Sequence, residues 1–120
     1  MSLIETPMIH TLSRALDLTS LRQRLVSENI ANIDTPGYQT RDIDFAGELR
    51  RSMELGNSEG ETATVRTLRG LEQRPDGNNV SMDRESLLMA QNQLQFQTGV
   101  AVLRSEFSRL QLAINGGSNS

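Results

Sequence analysis

The strongest apolar periodicity in this 120-residue chain lies at its two ends, in two long amphipathic stretches. The first spans about residues 8–33 and the second about residues 82–114, and the segment between them is rich in glycine and charge. At 1.5 Å per residue the second stretch would form a rod of roughly 50 Å, too long for the interior of a compact domain of this size. The layout predicts that the two ends pair with each other or with copies of themselves. It favours an assembly subunit over an enzyme.

The first stretch carries two apolar patches. Seven positions follow alternating spacings of four and three residues, and five of them are apolar, which is typical of a coiled-coil seam. A second leucine patch lies well round the helix, so we expect two neighbours; an ordinary wide helix face in a small bundle is the alternative. The seam positions are Leu12, Leu16, Thr19, Gln23, Val26, Ile30 and Ile33, and the second patch is Leu18, Leu21 and Leu25.

The second stretch has the clearest seam. From Phe96 onward its apolar residues again alternate at four and three, and Ser81 is placed to cap the start of the helix. Gly116 and Gly117 are expected to end it. The seam residues are Met89, Phe96, Val100, Leu103, Phe107, Leu110 and Ile114.

The middle segment is predicted to be irregular. Pro36 disfavours helical geometry at the residue before it, so Thr-Pro-Gly-Tyr should end the first helix in a turn. A short helix is predicted over residues 44–55, closed by Gly56, followed by turn-forming residues 57–64 and a strand near 64–68. The fold class is therefore mainly α: an elongated coiled-coil-like pair of terminal helices with a loop-rich middle. The expected divisions are 1–35 (N-terminal helix), 36–79 (middle), 80–115 (C-terminal helix) and 116–120 (flexible tail).

Little in the composition indicates a catalytic, cofactor or metal site. There is no cysteine, and His10 is the only histidine, so we expect no catalytic, cofactor or metal site. Asp34, Asp42 and Asp44 lack the spacing of a calcium loop and are interpreted as solvated or helix-capping residues. The net charge of −3 without a basic stripe gives no support for nucleic-acid binding, and no pattern indicates a small-molecule substrate. The N-terminus also lacks the pattern of a cleaved secretory signal.

The end of the first stretch is the most unusual local feature. Asn29 and Asn32 are three residues apart, so both amides share one helix face. Such amides bind exposed backbone groups of a following loop or of a neighbouring chain. The alternative is that both asparagines simply help to end a helix.

Here the chain resembles a known family. The sequence SENIANIDTPGY (residues 27–38) resembles the N-terminal signature of bacterial flagellar axial proteins, within the flagellar basal-body rod protein family. YQTRDIDF (38–45), NVSMDRE (79–85) and QLQFQT (93–98) resemble proximal rod members, and the last two argue against the small rod protein FlgC. One departure is Gly99, where the family pattern has alanine; glycine there would permit close helix approach or bending.

The resemblance implies a structural subunit that assembles into a helical tube, transmits torque and leaves the cytoplasm by the flagellar type III export apparatus. The implied partners are copies of itself, the rod proteins FlgC, FlgF-like and FlgG-like, the FliE adaptor and the MS ring. The signature implies an assembly role for Asn29, Asn32, Thr35, Pro36, Gly37 and Tyr38, beside the two helical seams.

A different class remains open: a soluble helical adaptor or chaperone that binds a partner helix. Such a protein should be stably helical alone, whereas we expect a rod subunit to keep loosely ordered ends until neighbours bury its seams.

Overall fold

The computed structural model describes residues 6–55 and 62–118. Helix α1 (Pro7–Ala31) is followed by strand β1 (Arg41–Ile43), helix α2 (Phe45–Leu55), strand β2 (Val65–Thr67) and helix α3 (Met82–Ser118). The molecule is elongated, with extents of 71 × 26 × 17 Å. The predicted fold class, with two long terminal helices, a short middle helix and a small β element, is confirmed.

Helix α1 begins at a capped turn and ends before the proline. The Thr6 hydroxyl accepts a hydrogen bond from the Ile9 amide (3.1 Å), and proline follows at the first helical position. The helix ends at Ala31, two residues earlier than the seam predicted, because Asn32 donates from its side chain to the Glu28 carbonyl (2.8 Å) and closes the last turn. Asn32 of the signature therefore ends the helix four residues before Pro36.

Helices α1 and α3 run antiparallel along most of α1. The side chain of Asn92 donates to that of Gln23, and Gly99 lies against Leu16, so residue numbers rise along one helix as they fall along the other. A Cβ atom added at Gly99 would lie 2.8 Å from Leu16 Cδ2. This glycine thus sits at a close approach of the two helices, one of the two roles predicted for it.

The second leucine patch of α1 packs on the middle segment. Leu18 and Leu25 form the buried core with Ile43 of β1 and Ala63, and Leu21, Phe45, Leu49 and Val65 pack around them. Strands β1 and β2 pair antiparallel, with Ile43 opposite Val65. Helix α1 therefore has two neighbours within the chain, α3 on one side and the β1–α2 region on the other, as its two patches predicted.

The shorter elements follow the sequence closely. The Asp44 carboxylate caps α2 by accepting from the Gly47 amide (3.2 Å), and the Ser81 hydroxyl caps α3 by accepting from the Arg84 amide (3.2 Å). The closing role predicted for Gly56 and the turn predicted for residues 57–61 lie outside the described residues.

Helix α3 continues further than predicted. Its backbone stays helical through Gly116 and Gly117 to Ser118. Glycine lowers helix propensity by about 1 kcal/mol relative to alanine but, unlike proline, blocks nothing sterically. Two glycines near a helix end therefore did not stop it. Of the predicted tail, residues 119–120 lie outside the described part of the chain.

Candidate assembly site

Asn29 fastens the loop after α1 to the helix. The residue is only 1% exposed, and its Nδ2 donates to the Arg41 carbonyl at 2.9 Å. Its Oδ1 accepts from the Arg41 amide (3.1 Å) and from the Tyr38 hydroxyl (2.9 Å). Burial raises the pKa of Tyr38 further above neutral, in keeping with a hydroxyl that stays protonated and donates. Of the partners considered from the sequence, Asn29 binds the following loop of its own chain.

The turn after α1 is held by the segment that precedes α3. Asn78 Nδ2 donates to the carbonyls of Asn32 and Thr35, both at 2.9 Å. Gly37 has φ +77° and donates its amide to the Asp76 carbonyl at 2.9 Å. Positive φ favours glycine, so the Pro-Gly turn needs this residue for its backbone conformation. The signature turn and the Pro-Asp-Gly turn of residues 75–77 thus stack on each other.

Asn79 joins two further parts of the middle segment, residues 39–40 and Leu68. Its Oδ1 accepts from the Thr40 amide at 2.6 Å, while its Nδ2 donates to Gln39 Oε1 (3.0 Å) and to the Leu68 carbonyl (3.1 Å). Asn78 and Asn79 are both buried, and sequence reasoning assigned neither a role. Their signal was two consecutive asparagines between a strong turn and a helix cap, a place where amides have backbone groups to bind.

Asp42 bridges both terminal helices. It is 4% exposed and accepts from Arg22 Nε and Nη2 of α1, both at 3.0 Å, and from Arg84 Nη2 of α3. Its Oδ1 also accepts from the Ile43 amide at 2.7 Å. Burial acts to raise the pKa of this carboxyl, but the bonds from Arg22, Ile43 and Arg84 outweigh it and hold the pKa below its ordinary value. Arg84 also pairs with the fully buried Glu85 at 2.7 Å, so two cations face two carboxylates.

The interpretation of Asp42 as a solvated loop residue was wrong. Asp34 is exposed and Asp44 is an exposed helix cap, as expected, but Asp42 points inward from β1. Its partners lie 20 and 42 residues away in sequence, so no local pattern indicated them. We call the linked set Arg22, Asn29, Tyr38, Asp42, Asn78, Asn79 and Arg84 the polar junction.

The predicted seam residues are covered to different degrees. In the first seam, Val26 is buried, Leu12, Leu16 and Ile30 on α1 are half-buried, and so is Ile33 just beyond the helix. On α3 the buried positions are Glu85, Leu88 and Asn92, so the predicted stripe lies to one side of the line that faces α1. Met89, Val100, Leu103 and Leu110 are half-buried, whereas Phe96 (44%), Phe107 (42%) and Ile114 (56%) are exposed.

The turn residues of the signature divide in the same way. Thr35, Pro36 and Gly37 are exposed, whereas Asn32 and Tyr38 are half-buried. Over residues 6–55 and 62–118, no group of three or more histidine or acidic side chains is placed to hold a metal ion. Within the same residues, no helix has the length and apolarity needed to cross a lipid bilayer.

Fold and site together define a helical structural subunit, in which polar side chains hold segments in place while apolar helix surface is left uncovered. The sequence model of a family described as "Flagella basal body rod protein" matches residues 9–39, the span of α1 and the signature turn.

Relatives match over most of their own length. The flagellar basal body rod protein FlgB of Salmonella typhimurium is 40% identical, over 87% of this chain and 90% of the relative. FlgB of Cereibacter sphaeroides is 39% identical over 87% and 91%, and that of Escherichia coli K12 is 34% identical over 87% and 90%. The chain belongs to the FlgB family of flagellar basal body rod proteins, which confirms the resemblance found in the sequence.

Proposed function

We propose that this chain is a structural subunit of the proximal rod of the flagellar basal body, and that it self-assembles into a helical tube which transmits torque. Family membership supports the location and the structural role. The observation that carries the assembly mechanism is the uncovered apolar surface of α3: Phe107, Leu112 and Ile114 are 42%, 72% and 56% exposed. Burying one such side chain fully is worth about 1.5–3 kcal/mol, so neighbours that cover them would contribute strongly to assembly.

In this proposal, one set of residues contacts neighbouring subunits and another fixes the shape of the contact surface. The half-buried and exposed seam residues of α1 and α3 meet neighbouring subunits, together with the exposed Thr35, Pro36 and Gly37 of the turn. Asn29, Asn32 and Tyr38 act indirectly, because their hydrogen bonds fix the shape of the turn that neighbours would contact. Residues 1–35 and 80–115 would then form the rod core, and residues 36–79 would brace it.

A rod subunit assembles with other components of the basal body. By the family resemblance we propose FlgC, FlgF-like and FlgG-like rod proteins as neighbours, with the FliE adaptor and the MS ring at the base. We also propose export through the flagellar type III apparatus, with the far end of α3 ordered only after assembly. The relatives given above are all named FlgB, which supports this function over the adaptor and FlgC alternatives.

The test is complementation of a strain that lacks this gene. We expect the chain to co-purify with detergent-extracted basal bodies and to restore swimming. Phe107→Asp should abolish both, because Phe107 is exposed in the monomer and its change leaves the subunit fold intact.

The matched control is Ser105→Asp, an exposed position on the opposite side of the same helix turn, which should retain activity. Normal swimming with Phe107→Asp, at equal expression, would contradict the assembly role of the α3 seam.

A further inference from the structure

Helix α3 contains an unusually long segment without charge. Residues 86–103, between Glu85 and Arg104, include no acidic or basic side chain, yet twelve of these eighteen are exposed. Leu87 and Leu94 are among them, at 59% and 66% exposure. Depletion of charge distinguishes the cores of protein interfaces from ordinary surface. We call residues 86–103 the uncharged segment.

The uncharged segment borders a groove on each side of the α1–α3 seam. One groove, of 580 Å³, is rich in amides, including Gln23, Asn92, Gln93 and Gln97. The other, of 390 Å³, is more apolar and includes Leu16, Leu94, Gln95 and Val102. In the described part of the chain, no charged side chain lines either groove.

The amide groove contains an unsatisfied acceptor. Asn92 is 2% exposed, and its Nδ2 donates to Gln23 Oε1 at 3.3 Å. Its Oδ1 has no hydrogen-bond partner among the residues that the structure describes. This oxygen is itself inaccessible in the monomer, so a partner would meet the exposed amides of Gln93 and Gln97 beside it.

We infer that the occupant is a second copy of this chain, packed side by side so that the amide groove of one uncharged segment receives the Leu94–Gln95–Val102 flank of the next. Side-chain amides both donate and accept, so an amide-rich segment is complementary to itself, and Gln95 would meet the exposed amides of Gln93 and Gln97. Opposite sides of α3 would meet in this contact. Such a heterologous contact repeats from one copy to the next and, where the rotation between copies does not close a ring, generates an open helical array. The inference rests on the proposed rod function and specifies its subunit contact.

Charge insertion tests the buried nature of the contact. Gln93→Glu places a carboxylate in the amide groove, where assembly would bury it without a cation, so we expect at least a tenfold loss of the chain from purified basal bodies. Ser105→Glu, exposed and just outside the uncharged segment, should be recovered at the wild-type level. Circular dichroism of the purified subunits should be the same for both variants and the wild type.

Cross-linking tests which surfaces meet. The chain has no cysteine, so introduced thiols react alone. Gln93→Cys with Gln95→Cys puts one thiol on each side of α3, and a short bis-maleimide should convert assembled subunits of the double variant into a ladder of oligomers. Each single variant should give none, because like sides do not face each other.

The outcomes separate the two proposals. Wild-type chain absent from basal bodies would refute the rod function, and this inference with it. If the wild type is present but Gln93→Glu is incorporated equally well, if the double variant gives no ladder, or if a single variant gives covalent dimers, the side-by-side contact alone is wrong.

Discussion

Replacing Asp42 by asparagine should destabilise the fold strongly, because this buried carboxylate pairs with an arginine of each terminal helix. The substitution keeps the size of the side chain but removes the negative charge that pairs with Arg22 and Arg84. Breaking a buried ion pair by removing one partner costs about 3–5 kcal/mol. The side chains of Arg22 and Arg84 are 21% and 25% exposed, so water partly solvates the freed charges. We therefore expect a loss of about 2–3 kcal/mol in the free energy of unfolding.

Urea denaturation of the purified subunit measures this loss. Helix content is followed by circular dichroism, and the fluorescence of Tyr38 reports on the junction itself, because the chain has one tyrosine and no tryptophan. The matched control is Asp44→Asn, an exposed helix cap at which asparagine is as good as aspartate. It should stay within about 0.5 kcal/mol of the wild type. If Asp42→Asn also stays within that range, the ion bridge does not hold the junction together.

Three further outcomes are expected. The folded-state pKa of Asp42 is lowered, so the stabilisation that its carboxylate supplies is complete above the ordinary aspartate pKa and is lost as pH falls below about 4 through the folded value. The free energy of unfolding should therefore change less with pH in this acid range for Asp42→Asn than for the wild type. An equal change with pH in both would refute the assignment. Gly99→Ala should be near neutral in urea melts, since it gains about 1 kcal/mol of helix propensity and displaces only the flexible end of Leu16, whereas Gly99→Leu should lose about 1–3 kcal/mol by overpacking; a large loss with alanine would mean that Leu16 cannot move. Asn29→Ala leaves the Tyr38 hydroxyl and the Arg41 backbone without their partner and should cost about 2–3 kcal/mol. Asn29→Asp turns a buried carboxylate oxygen toward the Arg41 carbonyl oxygen and should cost at least as much. Equal stability of all three forms would remove the loop-fastening role.

The helical architecture was predictable because the apolar residues recur at helical spacing along the sequence. Leu18, Leu21 and Leu25 indicated a second packing face of α1, and that face does contact the middle segment. Asp44 and Ser81 precede their helices as capping residues commonly do, and both cap them. Each of these signals lies within a few residues of the element it specifies.

The polar junction was not predictable in the same way. Asp42 looked like one of three loop aspartates, because its arginine partners are brought to it only by the packing of α1 against α3. The position of Asn78 and Asn79 between a turn and a helix cap indicates amide–backbone bonds, but the backbone groups that they bind are brought to them by the tertiary stacking of the two turns. The seam stripe on α3 shows a related limit: periodicity identifies an apolar side of a helix but does not say whether its own chain or a neighbouring subunit covers it.

The Asp42 bridge lies toward one end of the α1–α3 pair, so the two ends of the pair should differ in stiffness. Near the bridge, sliding α1 past α3 would break charged hydrogen bonds from both helices at once. Farther from the bridge the two helices touch through contacts such as Gly99 with Leu16, which yield to small displacements at low energy. A tube built of such subunits is therefore expected to resist twisting near the bridges, while the other ends of the helix pairs bend to absorb small misfits between neighbouring subunits.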